Sequence, residues 1–259
     1  MQIYAMAIEK GGTGKSTLAV NLAAAFGQLT FRVLLIDLDA QGHSSYWLGV
    51  TPSTLHRDDS ILGLINDRPL AECVRATVEG VDLLPAHPSL ASLPIQLSSL
   101  PNGGLFVLQD VLGKPAVAEA YDIIIFDLAP ARGLVLAAAL AAATRCIAPV
   151  QPEELVIQAL RSLSDSVAQA QRVNPHLRGV SVVRNKYIQR SAGDIAYDQM
   201  LRNLYGPQLL KTIIPVRAAL RDSAGLQQSV FRYSGGDTNE VRNLFLDLVE
   251  ELVTLDGIR

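Results

Sequence analysis

The chain has 259 residues, 49% of them hydrophobic, and carries 22 Lys/Arg against 25 Asp/Glu for a net charge of −3, so it can bury a substantial core and is not a disordered polar chain. No Ser/Gly/Pro-rich stretch, long single-sign run or internal repeat divides it, which predicts one domain over residues 1–259. No apolar run approaches the ~20 residues of a membrane span, and the start MQIYAMAIE lacks a basic n-region and a cleavage site, so a cytoplasmic protein is expected.

In chain order, short aliphatic runs recur at 3–8, 32–37, 81–85, 121–127, 144–150, 179–185 and 211–215. Helical periodicity fills most of the intervals, as with Leu18, Leu22 and Phe26 at i, i+4 and i+8. Apolar strands alternating with helices predict an α/β fold, a mostly parallel twisted sheet with helices on both faces. Such sheets bind ligands beyond the carboxyl ends of their strands. Cys73 and Cys146 lie far apart in apolar surroundings and read as unpaired core thiols; His43, His56, His87 and His176 have no ligand spacing, so no metal held by His or Cys is expected.

The first strand runs into AIEKGGTGKSTLAV. Gly11, Gly12 and Gly14 let backbone N–H groups approach an anion, and a helix beginning near Lys15 adds its positive end. With Thr13 these residues form a phosphate loop in which Lys15 reaches the β- and γ-phosphates, Ser16 ligates Mg²⁺ and Thr17 contacts the α-phosphate. The loop deviates from G-x-x-x-x-G-K-[ST]: Glu9 stands where the first glycine belongs, and an additional lysine, Lys10, follows it.

Two further strand ends carry carboxylates. Asp127 closes a run of aliphatics and Phe126, as the strand-end carboxylate that holds Mg²⁺ through water does. Asp37 and Asp39 follow another buried strand, and alternation sends both towards one site. Asp37 is assigned to the metal shell and Asp39 to the attacking water; the plainer alternative is that one of them caps the next helix.

The segments KGGTGKST, VLLIDLDAQGHSS, YDIIIFDLAPARG and APVQPEELVIQAL together resemble the ParA/MinD family of deviant P-loop ATPases, most of all the ParA partition proteins, over almost the whole chain. Ala40 and Ala129 stand where that family usually has proline, and His43 where it commonly has Asn. The resemblance implies a P-loop NTPase fold, ATP and Mg²⁺ as cofactors, and a sandwich homodimer formed on ATP binding. It makes Lys10 the signature lysine that crosses to the partner's nucleotide, where a second ammonium can stabilise transition-state charge. Lys10, Lys15, Asp39 and Asp127 are then the catalytic set; Asn185, Pro215 and Arg217 would line the adenine pocket, and Glu153 would sit near the dimer interface.

From Arg161 to Arg221 ten Lys/Arg face three Asp, while the remainder has twelve Lys/Arg against twenty-two Asp/Glu. This asymmetry suggests a basic surface for phosphate backbones without sequence preference, with Arg184, Lys186, Arg190, Arg202, Lys211, Arg217 and Arg221 as candidates. A solvated basic face is the bland alternative. In the last helix Val241, Leu244, Phe245, Leu248, Val249 and Leu252 form one stripe, but the polar face is acidic, which argues for packing on the domain and against a membrane surface. By resemblance the partners are non-specific double-stranded DNA on the nucleoid and a ParB-like protein that stimulates hydrolysis. The chain begins at its first strand, so an N-terminal operator-binding extension is not expected. The competing expectations are a ParA-like positioning ATPase for another cargo and a nucleotide-dependent regulator that scarcely hydrolyses ATP.

Overall fold

The computed structural model describes residues 1–188 and 192–258. Its sheet consists of β1 (Gln2–Met6), β2 (Val33–Asp37), β3 (Arg75–Ala76), β4 (Asp82–Leu84), β5 (Ile123–Asp127), β6 (Arg145–Val150), β7 (Val180–Tyr187) and β8 (Leu209–Pro215). They lie side by side in the order 3-4-2-5-1-6-7-8, parallel throughout except for the antiparallel pair β3–β4. All seven expected strands are present. The additional β3 is a two-residue edge strand that is not buried, too short for any periodicity to announce it.

The helices, in chain order, are α1 (Lys15–Gln28), α2 (His43–Trp47), α3 (Ile61–Ile65), α4 (Leu70–Cys73), α5 (Leu93–Ser98), α6 (Val107–Leu112), α7 (Pro115–Ala118), α8 (Leu134–Ala142), α9 (Glu154–Ala170), α10 (Ala192–Tyr205), α11 (Ala218–Gly225) and α12 (Thr238–Asp256). Strand alternation sorts the core into two layers. Tyr4, Met6, Leu35 and Ile125 pack with α1, α11 and α12, whereas Ala5, Ile36 and Phe126 pack with α3, α5, α6, α8 and α9. The odd-numbered parity of β2 and β5 therefore carries Asp37 and Asp127 to the α1 side.

The segment that becomes α1 is rich in alanine, a strong helix former, and is buried along most of its length. The stripe of α12 buries Val241, Phe245, Leu248, Val249 and Leu252 against α1 and β8, so this helix packs on the domain as its acidic outer face predicts. Among the described residues no helix is long and apolar enough to cross a membrane. Cys73 and Cys146 are both buried and unpaired.

Candidate active site

β1, β2, β5 and β7 deliver their carboxyl ends to one edge, where a cleft of about 540 Å³ opens. It is lined by Gly11, Gly12 and residues 14–17 of the loop, together with Asp39, Tyr46, Trp47 and Lys186. Gly14 precedes α1 with φ +91°, and a Cβ there would collide with Asn185 Nδ2, so both backbone and space demand glycine. Leu18 N–H is the first to find a helical partner, Gly14 O at 2.9 Å; among the described residues the amides from Gly11 to Thr17 meet no protein acceptor. Unmet donors at a helix start form an anion site.

Lys15 is buried, and among the described residues its Nζ has only long contacts, 3.4 Å to Ile8 O and 3.3 Å to Lys10 O. Burial pushes its pKa down, against the pull of Asp127 and Asp39. The ammonium is thus dry, close to two carboxylates and weakly committed, a state suited to meeting an anion.

The two strand-end aspartates differ. Asp37 accepts from Ser45 N at 2.9 Å, Ser45 Oγ at 2.7 Å and Asp39 N at 3.2 Å, using both of its oxygens. Asp127 accepts from Ser44 Oγ at 2.6 Å through Oδ2, while its buried Oδ1 meets no hydrogen-bond donor among the described residues. Burial and the Asp127 charge push Asp37 up to about 8; burial likewise raises Asp127, opposed by the hydroxyls of Ser44 and Ser16 and by Lys15. A divalent cation would relieve both. The donors fit Mg²⁺: Ser16 hydroxyl and the free oxygen of Asp127 are hard oxygen ligands beside a phosphate loop. Asp37, expected in the metal shell, has both oxygens engaged by Ser45 and the Asp39 amide, so it holds the Asp39 segment in place beside Asp127. Asp39 is half-buried, and its Oδ1 accepts from Gln41 N at 2.9 Å, which leaves it the least enclosed of the three.

The other expected residues divide. Lys10 forms an ion pair with Glu153 of its own chain. Glu9, the residue in place of the first loop glycine, accepts from Arg132 Nε at 2.8 Å and Ser162 Oγ at 2.6 Å, and so ties the loop to the β5–α8 connection and to α9. Asn185 is buried against the loop: its Nδ2 donates to Thr13 O at 2.7 Å, and among the described residues its Oδ1 meets no donor. Pro215 and Arg217 do not line the cleft, and Arg217 faces Glu240 and Asp237 instead.

The basic segment is less basic in space than in sequence. Arg184 is 2% exposed and donates inwards to Asp198 Oδ1 at 2.6 Å and Leu210 O at 2.7 Å, because strand alternation turns it into the core; it cannot contact DNA as expected. Lys186 turns into the cleft, Arg202 pairs with Asp198 and Arg221 with Asp222, while Lys211 is exposed. Arg190 lies outside the described residues. Ser44, Ser45 and Gln151 are site residues that the sequence reading missed; the serines stand inside DLDAQGHSS, but nothing in their spacing points to Asp127, 83 residues away.

Comparison with known proteins agrees with this geometry. The AAA-domain family AAA_31 matches residues 1–178. The chain is 30% identical over 250 residues to the chromosome-partitioning ATPase Soj of Thermus thermophilus, covering 96% of this chain and 94% of that protein. It is 31% identical over 241 residues to the chromosome partitioning protein ParA of Myxococcus xanthus, covering 90% and 81%. In fold it is similar to apo McdA from Cyanothece, with TM-score 0.83 at 21% identity over 97% of this chain and 99% of that one. A cobyrinic acid a,c-diamide synthase from Mycobacterium smegmatis, solved with ADP and magnesium, has TM-score 0.75 at 24% identity over 90% and 94%.

Proposed function

The chain belongs to the Soj/ParA family of P-loop ATPases, and from that premise we propose that it is a partition ATPase whose ATP-bound form pairs face to face, holds DNA without sequence preference and is discharged by a ParB-like partner. The observation that carries the chemistry is the conjunction of unmet loop amides, a weakly committed Lys15 and the partnerless oxygen of Asp127 at one edge of the sheet.

The amides of Gly11 to Ser16 and the Lys15 ammonium bind and orient the phosphates, and the low polarity around Lys15 strengthens that attraction. Ser16 and Asp127 would hold Mg²⁺, which would supply neutralisation of phosphate charge. Asp37 keeps the Asp39 segment and Ser45 in place through its three hydrogen bonds. Asp39, open to the cleft, orients the attacking water and accepts its hydrogen bond. Lys10 serves the nucleotide of a second chain, after release from Glu153. Asn185 Oδ1 is an acceptor that an adenine amino group can satisfy.

For DNA, family membership supports the reading more strongly than the charge count does. Lys211 is exposed, and the surface pairs of Arg202 and Arg221 are weak enough to exchange for phosphate. The test is DNA retention with ATP, ADP or no nucleotide, alongside phosphate release. Retention and slow hydrolysis only with ATP are expected, with Asp39→Ala binding ATP but releasing no phosphate. Retention indifferent to nucleotide would sink the proposed cycle; undiminished hydrolysis in Asp39→Ala would sink the assignment of the water.

A further inference from the structure

Lys186 stands on β7 with φ +54°, in the left-handed region that a lysine rarely adopts. Three other non-glycine residues there, Thr30, Asp67 and Gln227, follow the ends of α1, α3 and α11, and Asn102 lies in a turn. Among the described residues Lys186 is the one inside a strand. The pairing of β7 with β8 runs Arg184 with Ile213, Asn185 with Ile214 and Tyr187 with Pro215, so Lys186 is the extra residue of a β-bulge. At a left-handed bulge position glycine is the comfortable choice. A bulge re-aims a side chain, and strain kept at such a position points to a role for it.

The re-aimed ammonium reaches the phosphate loop. Lys186 Nζ donates to Gly12 O at 2.6 Å, and Gln151 Nε2, just beyond β6, donates to the same oxygen at 2.8 Å. The next carbonyl, Thr13 O, accepts from Asn185 Nδ2. In a trans peptide the C=O and the following N–H point opposite ways. Holding the Gly12 and Thr13 carbonyls towards β6 and β7 therefore fixes the Thr13 and Gly14 amides on the other side, among the donors that meet no protein acceptor. We infer that Lys186, with Gln151, is a positioning residue of the nucleotide site: it grips the Gly12 carbonyl and sets the loop amides for phosphate before any phosphate arrives. This inference deepens the proposed function and rests on its reading of the loop as a phosphate site.

The experiment measures affinity for ATP, ADP and inorganic pyrophosphate, with thermal unfolding in parallel, for wild type, Lys186→Met, Lys186→Gly, Gln151→Ala and the Lys186→Met/Gln151→Ala pair. Lys186→Met is expected to weaken all three ligands roughly tenfold, about the worth of one hydrogen bond that orders the site. Lys186→Gly removes the strain with the side chain, so it should unfold no earlier than wild type and still bind as weakly as Lys186→Met. That divergence separates positioning from mere support of the fold. Because Lys186 and Gln151 hold one oxygen, their effects should not multiply. Wild-type affinity in both Lys186 variants, or a double-variant loss equal to the product of the single losses, would overturn the inference. Wild type failing to bind ATP would instead overturn the reading of the loop itself.

Discussion

The two ends of the sheet bury carboxylates equally well and use them in opposite ways. At the amino end Asp256, from the last turn of α12, is 5% exposed and accepts from Arg145 Nε at 2.9 Å, Arg178 Nη1 at 2.7 Å and Tyr4 Oη at 2.9 Å. These partners outweigh burial and hold it below the usual carboxylate range. At the carboxyl end Asp37 and Asp127 are just as dry, yet they repel each other and are pushed upwards. Burial alone does not mark a site; the supply of partners does. The amino-end cluster is complete within the chain and staples α12 to β1 and β6, whereas the carboxyl end keeps an oxygen, an amide oxygen and a row of amides unmet.

The contrast can be broken most severely at the staple. Asp256→Ala leaves two guanidinium groups facing each other without their carboxylate and should cost about 3–5 kcal/mol in chemical denaturation. A loss below about 1 kcal/mol would mean that the cluster is ornamental. Next in size, Lys15→Ala should weaken ATP binding by about 1.5–3 kcal/mol, the range for a hydrogen bond to a charged group, and calorimetry reads it directly. An unchanged affinity would remove Lys15 from the site.

A smaller effect sharpens the comparison through pH. The folded pKa of Asp37 lies near 8, above its unfolded value of 3.8, so its contribution to stability is full below the unfolded value and lost as pH rises towards 8. Asp256 behaves inversely: held low, it contributes above its unfolded value and loses that contribution as pH falls through its folded value. In the absence of nucleotide and Mg²⁺, Asp127→Asn should therefore stabilise the protein by about 1 kcal/mol at pH 8 and flatten the decline between pH 4 and 8, at the expense of Mg²⁺-dependent hydrolysis. A slope identical to wild type would show that the two carboxylates do not sense each other. Smallest of all, Lys10→Ala should move the stability of the single chain by no more than about 1 kcal/mol, because its pair with Glu153 is partly exposed. Thermal unfolding of the dilute protein checks this.

Seven strands and the phosphate loop were legible because each is a local pattern: aliphatic runs bounded by polar residues, and glycines ahead of Lys-Ser-Thr. The difference between Asp37 and Asp127 was not legible, since it depends on which of Ser44 and Ser45 faces which strand. Nor was the fate of the arginines. Charge can be counted along a sequence, but Arg184 turns into the core and Arg217 turns to Glu240 through contacts made across many residues. Lys186 was visible as a cation, while its bulge arises from the register of β7 against β8, which no local pattern announces.

The ion pair between Lys10 and Glu153 has a consequence for how two such chains would meet. If Lys10 crosses to a neighbour's triphosphate, each new attraction replaces one that the separate chain already had, so pairing is an exchange of counterions and not a gain of them. Added salt screens both sides of such an exchange. Association through this contact should therefore respond to ionic strength far less than the bare charges of an ammonium and a triphosphate suggest, and its strength should follow how well the nucleotide outcompetes Glu153.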